Sequence, residues 1–593
     1  MRLVLFQADM SGVPELNDID ELLAGLDEEQ YEAVTAKSRI VVVMAGAGSG
    51  KTRVLTRRIA YRIASGGAAP EKTLAVTFTR KAASELSERL WSLGVDGPAA
   101  GTFHSVALRT LKRRHGHRTP KILGSKASII SRVAGNQADA ALVREVSREI
   151  DWAKARMIPP SRYLTAAADR ATAIEQHTIS AIYEKYEAEK ERRGVIDFED
   201  ILLRVTSDLE QDPRFSAEMQ SLFRHIYVDE FQDVNPLQYR MLSALMTDES
   251  DLFVVGDPAQ AIFSFAGADP GYLTGLSERQ EDVAVVRLTG NYRSTPEIVE
   301  IANSIPAAEA PAKLRPTLPE GAHPEIRDFA DEEAEARGIA RLLRDGYESR
   351  HGWRSSAVLY RIAAQSAPIE AALHDHGIPF TVRDGLFTQR PEVASALQRL
   401  KEADAAPGIA LSGLVAEIAE EIAEGEDEKA NLEVLLAMAE EYESIAPGAM
   451  GDAAEFAEFV RQSRETPARS GNSVTLLTLH SSKGLEFRNV IIAGCEDGLI
   501  PVYHSKKRAE IDEEQRLFYV GVTRAREKLT LTWARQRRTG QGISAREESP
   551  FLAGPRAALR ALAQREIPTK DWGKEIAKQR SAIGKPHDAD ATD

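Results

Sequence analysis

The chain has 593 residues, too many for one hydrophobic core, and its length alone predicts about three or four domains. With 43% apolar and 28% charged residues it has the usage of an ordinary soluble protein, and no apolar run reaches the roughly 18 residues that span a bilayer. The net charge of −15 excludes a protein coated in nucleic acid on every face but allows one basic groove, because binding follows local potential. The lone Cys495 excludes internal disulfides and cysteine-based metal centres, which fits a reducing cytoplasm. The opening MRLVLFQADM carries no pattern of a secretory signal.

In chain order, residues 1–22 read as a loosely ordered extension. Leu26 to Val34 predicts a short helix, with Asp27 as N-cap and Gln30 three residues on, the spacing of a capping box. Ile40 to Met44 is apolar and mostly β-branched, as a buried parallel strand requires. The small residues Ala45, Gly46, Ala47, Gly48, Ser49 and Gly50 then lead into Lys51 and Thr52, after which Val54, Leu55, Ile59 and Ile63 carry helical spacing. Strand, glycine loop and helix together form a phosphate-binding loop, although the strict pattern wants Gly at Ala45. Its amides and helix N-terminus offer donors to phosphate, Lys51 reaches the β/γ-phosphates, and the Thr52 hydroxyl suits Mg²⁺. These residues predict that the chain binds a nucleoside triphosphate with Mg²⁺.

A second buried strand follows at Leu74–Phe78, then a helix from Lys81 to Leu90. Residues 105–190 are helical by period and carry basic clusters at Lys112-Arg113-Arg114 and Arg118. Further short apolar strands lie at Ile226–Glu230, Leu252–Gly256 and Val283–Leu288, so strands alternate with helices as in a parallel α/β sheet. The second half repeats the design with strands at Ala357–Tyr360, Val474–Leu479, Asn489–Ile492 and Leu529–Thr532, but has no phosphate loop. Residues 401–472 are Ala- and Glu-rich and helical, and the acidic stretch Glu417 to Glu428 reads as a solvated face. From about 553 onward the chain is polar and charged and reads as a weakly ordered tail.

The chemistry concentrates after the strand Ile226–Val228. Asp229, at its end, suits the Mg²⁺ shell, and Glu230 is placed to deprotonate the attacking water. Arg293 and Arg524, both beyond the first sheet, are candidates to stabilise charge on the transferring phosphoryl group, so that hydrolysis is tied to closure of two domains.

Nine blocks in one order resemble the UvrD/Rep/PcrA family of superfamily 1 DNA helicases: Leu26–Gln30, Ala45–Thr52, AVTFTRKAASE (75–85), GTFH (101–104), YVDEFQD (227–233), VGDPAQ (255–260), NYRST (291–295), TLHSSKGLEF (478–487) and YVGVTRA (519–525). Within the family the resemblance leans toward the actinobacterial paralogue with a short 2B insertion, through IDWAKA (150–155), SFAGA (264–268) and the abbreviated 401–472 segment. It implies an α/β fold of two RecA-like domains, each with a mainly helical insertion. The implied division is domain 1A at 23–107 and 188–285, 1B at 108–187, 2A at 286–400 and 473–552, a shortened 2B at 401–472, and the tail at 553–593.

The resemblance also implies roles. Gln30 reads the adenine edge, Arg53 and Tyr292 stack on its faces, Gln260 senses the γ-phosphate, Glu486 binds the ribose, and Arg293 and Arg524 are the arginine fingers. Thr77, Phe78, Arg80, Thr102, Phe103, His104, Phe198, Phe263, Phe265 and His480 line a single-strand DNA track, where aromatic faces stack on any base. The implied activity is ATP-driven 3′→5′ movement along single-stranded DNA with separation of duplex, at single-strand/duplex junctions, in repair or replication-associated processing, in the cytoplasm at the nucleoid. A DNA-repair protein partner belongs to the same picture. Where the wider family has Trp-Arg, this chain has Phe265-Ala266, so one guanidinium contact is missing. The tetracysteine and HRDC regions of the short-2B paralogue have no counterpart here. Three other readings stay open: a translocase that separates duplex poorly, a motor subunit needing a partner, and a nucleotide-dependent binding module that does not turn over.

Overall fold

The computed structural model describes residues 18–566 except 124–125, 277–281, 307–311, 384–390, 403–410, 540–541 and, a few helical positions apart, 423–471. The chain forms β1 (Ile40–Ala45), β2 (Thr73–Thr77) and β3 (Ala99–Thr102), then the two-residue strands β4 (Lys121–Ile122) and β5 (Val195–Ile196), then β6 (His225–Val228), β7 (Asp251–Gly256) and β8 (Val283–Leu288). Six of these make one parallel sheet in the order β3-β2-β6-β7-β1-β8. Every residue of β1, β2 and β6 is buried, as expected of parallel strands covered on both faces. One face packs Ile40, Val42 and Met44 against the helices Phe103–His115, Phe198–Gln211 and Pro236–Leu245. The other packs Val41, Val43 and Ala45 against Leu55 and Ile59 of the helix Lys51–Ala64 and Leu86 of Arg80–Ser92.

After β9 (Gly290–Asn291) and β10 (Arg315–Pro316), a second parallel sheet is built from β11 (Glu325–Phe329), β12 (Ser356–Tyr360), β13 (Phe380–Val382), β14 (Val474–Thr478), β15 (Phe487–Ile492) and β16 (Ala525–Ala534), ordered β11-β16-β15-β12-β14-β13. A hairpin of β17 (Gln536–Thr539) and β18 (Gly542–Ala545) follows it. The expected pair of α/β sheets is therefore present, and β1 stands between β7 and β8, so the phosphate loop opens at the carboxyl ends of the strands.

Helices Lys126–Ala134, Ala140–Ala155 and Gln176–Arg193 form a separate bundle around Ile129, Val146, Ile150, Tyr163 and Tyr186. Helices Pro391–Glu402 and Leu411–Ile422 share another small core with Leu435, Tyr442 and Phe456. Two terminal expectations change. The expected loose extension is helical over Ile19–Leu23, with Leu22 fully buried and Arg57 Nη1 donating to Glu21 O at 2.6 Å. The expected tail begins as the helix Ala553–Glu566, which packs on Pro296–Ser304 and buries Ala558 and Leu562. Its small and apolar residues at helical spacing are diluted by arginines, which hides the buried stripe in a composition count. Residues 1–17, the closing DADATD and Glu424 to Glu428 of the acidic stretch lie outside the described residues.

Candidate functional site

The loop after β1 turns through Gly48 (φ 71°) and Gly50 (φ 82°), left-handed positions at which a side chain is strained. At Gly48 a Cβ would also lie 2.7 Å from Asn291 Nδ2 and 2.8 Å from Arg293 Cβ, so the loop and the second half meet there in contact. Lys51 and Thr52 open the helix Lys51–Ala64. The buried Lys51 Nζ has no hydrogen-bond partner and stands 3.8 Å from Glu230 Oε2; Ser49 Oγ is likewise buried and unpartnered. Buried polar atoms left unsatisfied beside a helix N-terminus fit an anionic ligand.

Asp229 follows β6 directly. Burial, reinforced by the Glu230 charge, pushes its carboxyl up to about 7. Glu230 sits in a left-handed backbone conformation, φ 51°, which is costly for a residue with a Cβ. Burial alone would raise its carboxyl, but Lys51, Lys483, the Gln232 amide and Arg524 outweigh it and hold the group down at about 2. Glu230 is therefore the carboxylate held ionised, while at Asp229 burial and the Glu230 charge outweigh Lys51 and Lys483. Among the described residues no cluster of three or more His, Cys, Asp or Glu could hold a metal by itself. The donors fit a hard cation shared with phosphate oxygens.

The second half closes over this loop. Asn291 Nδ2 donates to Ala47 O at 2.8 Å, and Tyr292 N donates to Gly48 O at 2.9 Å. Arg293 Nε donates to Glu486 Oε2 at 2.8 Å and Nη1 to Thr523 O at 3.2 Å. Arg524 is 1% exposed; its Nη2 donates to Gln260 Oε1 at 3.3 Å, and Gln260 Nε2 donates to Asp257 Oδ2 at 2.6 Å. Burial, with the neighbouring Arg293, pulls the Arg524 guanidinium down to about 9. Arg53 and Tyr292 converge on residues 25–27, and Gln30 turns its amide to the glycine loop. Gln30 Nε2 donates to Ser49 O at 2.9 Å, Arg53 Nη2 to Gly25 O at 2.9 Å, and the Tyr292 hydroxyl bonds Asp27. The Asp27–Gln30 capping box forms as the sequence predicts.

Sequence reasoning missed Lys483. Its Nζ donates to Asp233 Oδ2 at 2.5 Å and to Gln260 O at 2.8 Å, and lies 5.0 Å from the Phe263 ring centre. One lysine thus joins the phosphate side, the Gln260 backbone and an aromatic of the expected track. The block TLHSSKGLEF contains it, but a lysine in a loop has no periodicity to mark it. Gln232 also escaped notice, and its amide holds Glu230 while its carbonyl oxygen accepts from Asp257 N at 2.9 Å.

The expected DNA residues divide into two ring groups and a remainder. Phe265, 39% exposed, meets Phe263 edge-on at 6.0 Å and His480 at 5.8 Å. Phe198, 37% exposed, stacks on His104 at 4.3 Å with an interplanar angle of 21°. Burial depresses the His104 imidazole to about 4, so it is neutral when it stacks. Phe78 packs edge-on against Phe103 at 5.8 Å, and Phe103 is itself in the core of the first sheet. Thr77 is buried with its hydroxyl on Thr79 O, Thr102 caps the helix Phe103–His115 through Ser105 N, and Arg80 opens the helix Arg80–Ser92. Thr77 and Phe103 are spent inside the fold and offer no free face. Beside Ala266, Gly267 abuts the end of the helix Ala140–Ala155: a Cβ there would meet Ala155 Cβ at 2.9 Å and Arg156 Nη1 at 3.0 Å.

Two RecA-like sheets, a glycine loop after the first strand, and Arg293 and Arg524 of the second half packed beside it are the architecture of a P-loop nucleoside triphosphatase. The UvrD/REP helicase N-terminal domain matches residues 26–281, and the UvrD-like helicase C-terminal domain matches residues 286–406 and 411–536. The ATP-dependent DNA helicase UvrD2 of Mycobacterium tuberculosis is 39% identical, over 91% of this chain and 83% of its own length. DNA helicase II of Haemophilus influenzae is 30% identical over 93% of this chain and 90% of its own, and PcrA of Bacillus subtilis 27% identical over 96% and 90%. The chain belongs to the UvrD/Rep family of ATP-dependent DNA helicases. No helix among the described residues is long and apolar enough to cross a membrane.

Proposed function

We propose that this protein hydrolyses ATP between its two sheets to step 3′→5′ along single-stranded DNA and separate duplex at junctions. The observation that carries this reading is the Gln260–Arg524–Lys483 node, in which groups of the second sheet's half bond the first half directly beneath Phe263. In this reading Lys51, Arg293 and Arg524 take the phosphate charge, Glu230 accepts the proton of the attacking water, and Gln260 carries the state of the γ-phosphate to Lys483. Thr52 and Asp229 would hold Mg²⁺, which neutralises phosphate charge when bound. Gln30 satisfies the adenine edge, Arg53 and Tyr292 cover its faces, and Glu486 takes the ribose once released by Arg293. Phe265 and Phe198 are the exposed rings on which bases stack, backed by the half-buried His480 and His104, with Phe78, Phe263, Arg80 and Thr102 beside them.

Domain 1A then comprises 19–107 and 188–285, with 1B at 108–187. Domain 2A comprises 286–400 and 473–566, since the helix Ala553–Glu566 packs on it, and 2B lies at 401–472. A second reading, a translocase that needs a partner to open duplex, is favoured by Ala266, which supplies no guanidinium next to Phe265. Duplexes with a 3′ or a 5′ single-stranded tail decide between them, with Lys51→Ala as the blank. Separation of the 3′-tailed duplex alone supports the first reading. DNA-stimulated hydrolysis without separation supports the second, and separation of the 5′-tailed duplex alone overturns the assigned direction.

A further inference from the structure

Three lysines of the helical bundle, each from a different helix, end on the first turn of Phe198–Gln211. Lys126 pairs with Glu199 and Asp151. Lys154 reaches Asp197 at 2.5 Å, Asp200 at 2.7 Å and Glu187 at 2.9 Å. Lys190 reaches Asp197 at 2.9 Å and Glu187 at 3.0 Å, and pairs with Asp200. The Tyr186 hydroxyl donates to Asp197 Oδ2 at 2.8 Å. Lys154, Lys190 and Asp197 are almost wholly buried.

The same carboxylates also cap the helix. Asp197 Oδ1 accepts from Asp200 N and Asp200 Oδ2 from Asp197 N, both at 3.0 Å. Just before the cap, β4 pairs with β5, and Leu123 N donates to Ile196 O at 2.6 Å. The bundle is thereby tied to this one helix turn by backbone and by charge. A buried ion cluster is a poor source of stability, since apolar side chains of like size do as well or better. Ile201, Leu202, Val205 and Leu209 already anchor the helix to the first sheet. What directional charged bonds add is one fixed orientation of the first turn.

That turn begins with Phe198, stacked on His104, whose Nε2 is buried without a partner. We propose that Lys126, Lys154 and Lys190 are positioning residues for the single strand: they lock the Phe198–His104 ring pair to the helical bundle, so that the bundle's orientation sets the grip on the base stacked there. This rests on the reading of Phe198 as a DNA-stacking ring.

The test is the single-strand concentration that half-saturates ATP hydrolysis, measured with kcat and with the DNA-free rate. Lys190→Met leaves Asp197 and Asp200 with fewer buried partners and risks the fold. Lys126→Met is the second variant, because Asp151 and Glu199 keep access to water. A base stack is worth about 1–3 kcal/mol, so either methionine variant that folds raises the half-saturating concentration at least about 5-fold, with kcat and the DNA-free rate unchanged. Lys126→Arg restores it, and in a Phe198→Ala background Lys126→Met has no further effect. The proposal is overturned if Lys126→Met leaves half-saturation unchanged while Phe198→Ala raises it, or if the two effects simply add. If Phe198→Ala itself changes nothing, the stacking role of Phe198 falls and the proposal with it.

Discussion

Glu230 and His104 answer burial in opposite ways, one keeping its charge and the other giving it up. Glu230 remains a carboxylate in a buried cleft because four donors and cations face it, and its left-handed backbone aims it back at Lys51. A group held so far below its ordinary range is a weak base at rest, so the proton-accepting role proposed for Glu230 requires Lys51 and Arg524 to turn away from it. His104 is the reverse case, an imidazole kept neutral by burial, with a folded value of about 4 against 6.5. Its contribution to stability is complete above pH 6.5. It is lost as pH falls toward 4, because the unfolded chain takes up a proton that the folded one refuses. Between pH 7 and pH 5 the wild type is expected to lose about 2 kcal/mol that His104→Gln keeps, at about 1.4 kcal/mol per unit. Urea unfolding at both pH values measures this. Equal losses in the two proteins would mean that His104 is not held neutral.

At the scale of elements, the helix Ala553–Glu566 is fastened to Pro296–Ser304 by a close approach at Gly554, where a Cβ would lie 2.2 Å from Ser304 O. Backbone cannot yield as a flexible side chain does, so Gly554→Ala is expected to cost about 1–3 kcal/mol. Thermal melting reads the loss, and an unchanged midpoint would show that the helix does not dock there. The sequence disclosed elements whose signal is local. The phosphate loop, the Asp27–Gln30 cap and the strands Ile40–Ala45 and Asp251–Gly256 all follow from periodicity and cap chemistry over a few residues. It concealed what depends on distant partners. Ala553–Glu566 looks polar until its partner helix is in place. Lys154 and Lys190 look like solvent-exposed charges on helical segments, yet they are buried on Asp197 and Asp200. Phe103 shares a motif with His104, and only packing separates the core ring from the one stacked under the exposed Phe198.

For the whole molecule, the two halves share one apolar patch, in which Ala47, Ala259 and Ile262 join a core of the second half, and are bridged around it by directional contacts. Thr289 N and Oγ1 both donate to Glu29 at 2.6 Å, Arg516 Nε donates to Ala261 O at 2.7 Å, and Ser264 N donates to Glu513 Oε1 at 3.2 Å. Hydrogen bonds of this kind break and re-form singly, which suits the opening and closing around a nucleotide that the proposed function requires. The last two contacts flank Phe263 and Phe265, so a change in the angle between sheets is felt at the exposed rings. In the proposed mechanism the first sheet's phosphate loop is catalytically incomplete without the second half. The direct measurement is single-stranded-DNA-stimulated ATP turnover by Arg293→Ala, alongside nucleotide affinity. An arginine that stabilises the transferring phosphoryl group is worth about 10³–10⁵ in kcat, so kcat is expected to fall at least about 10³-fold while nucleotide still binds. A kcat within a few-fold of wild type would contradict the account, because hydrolysis would then be complete within the first sheet.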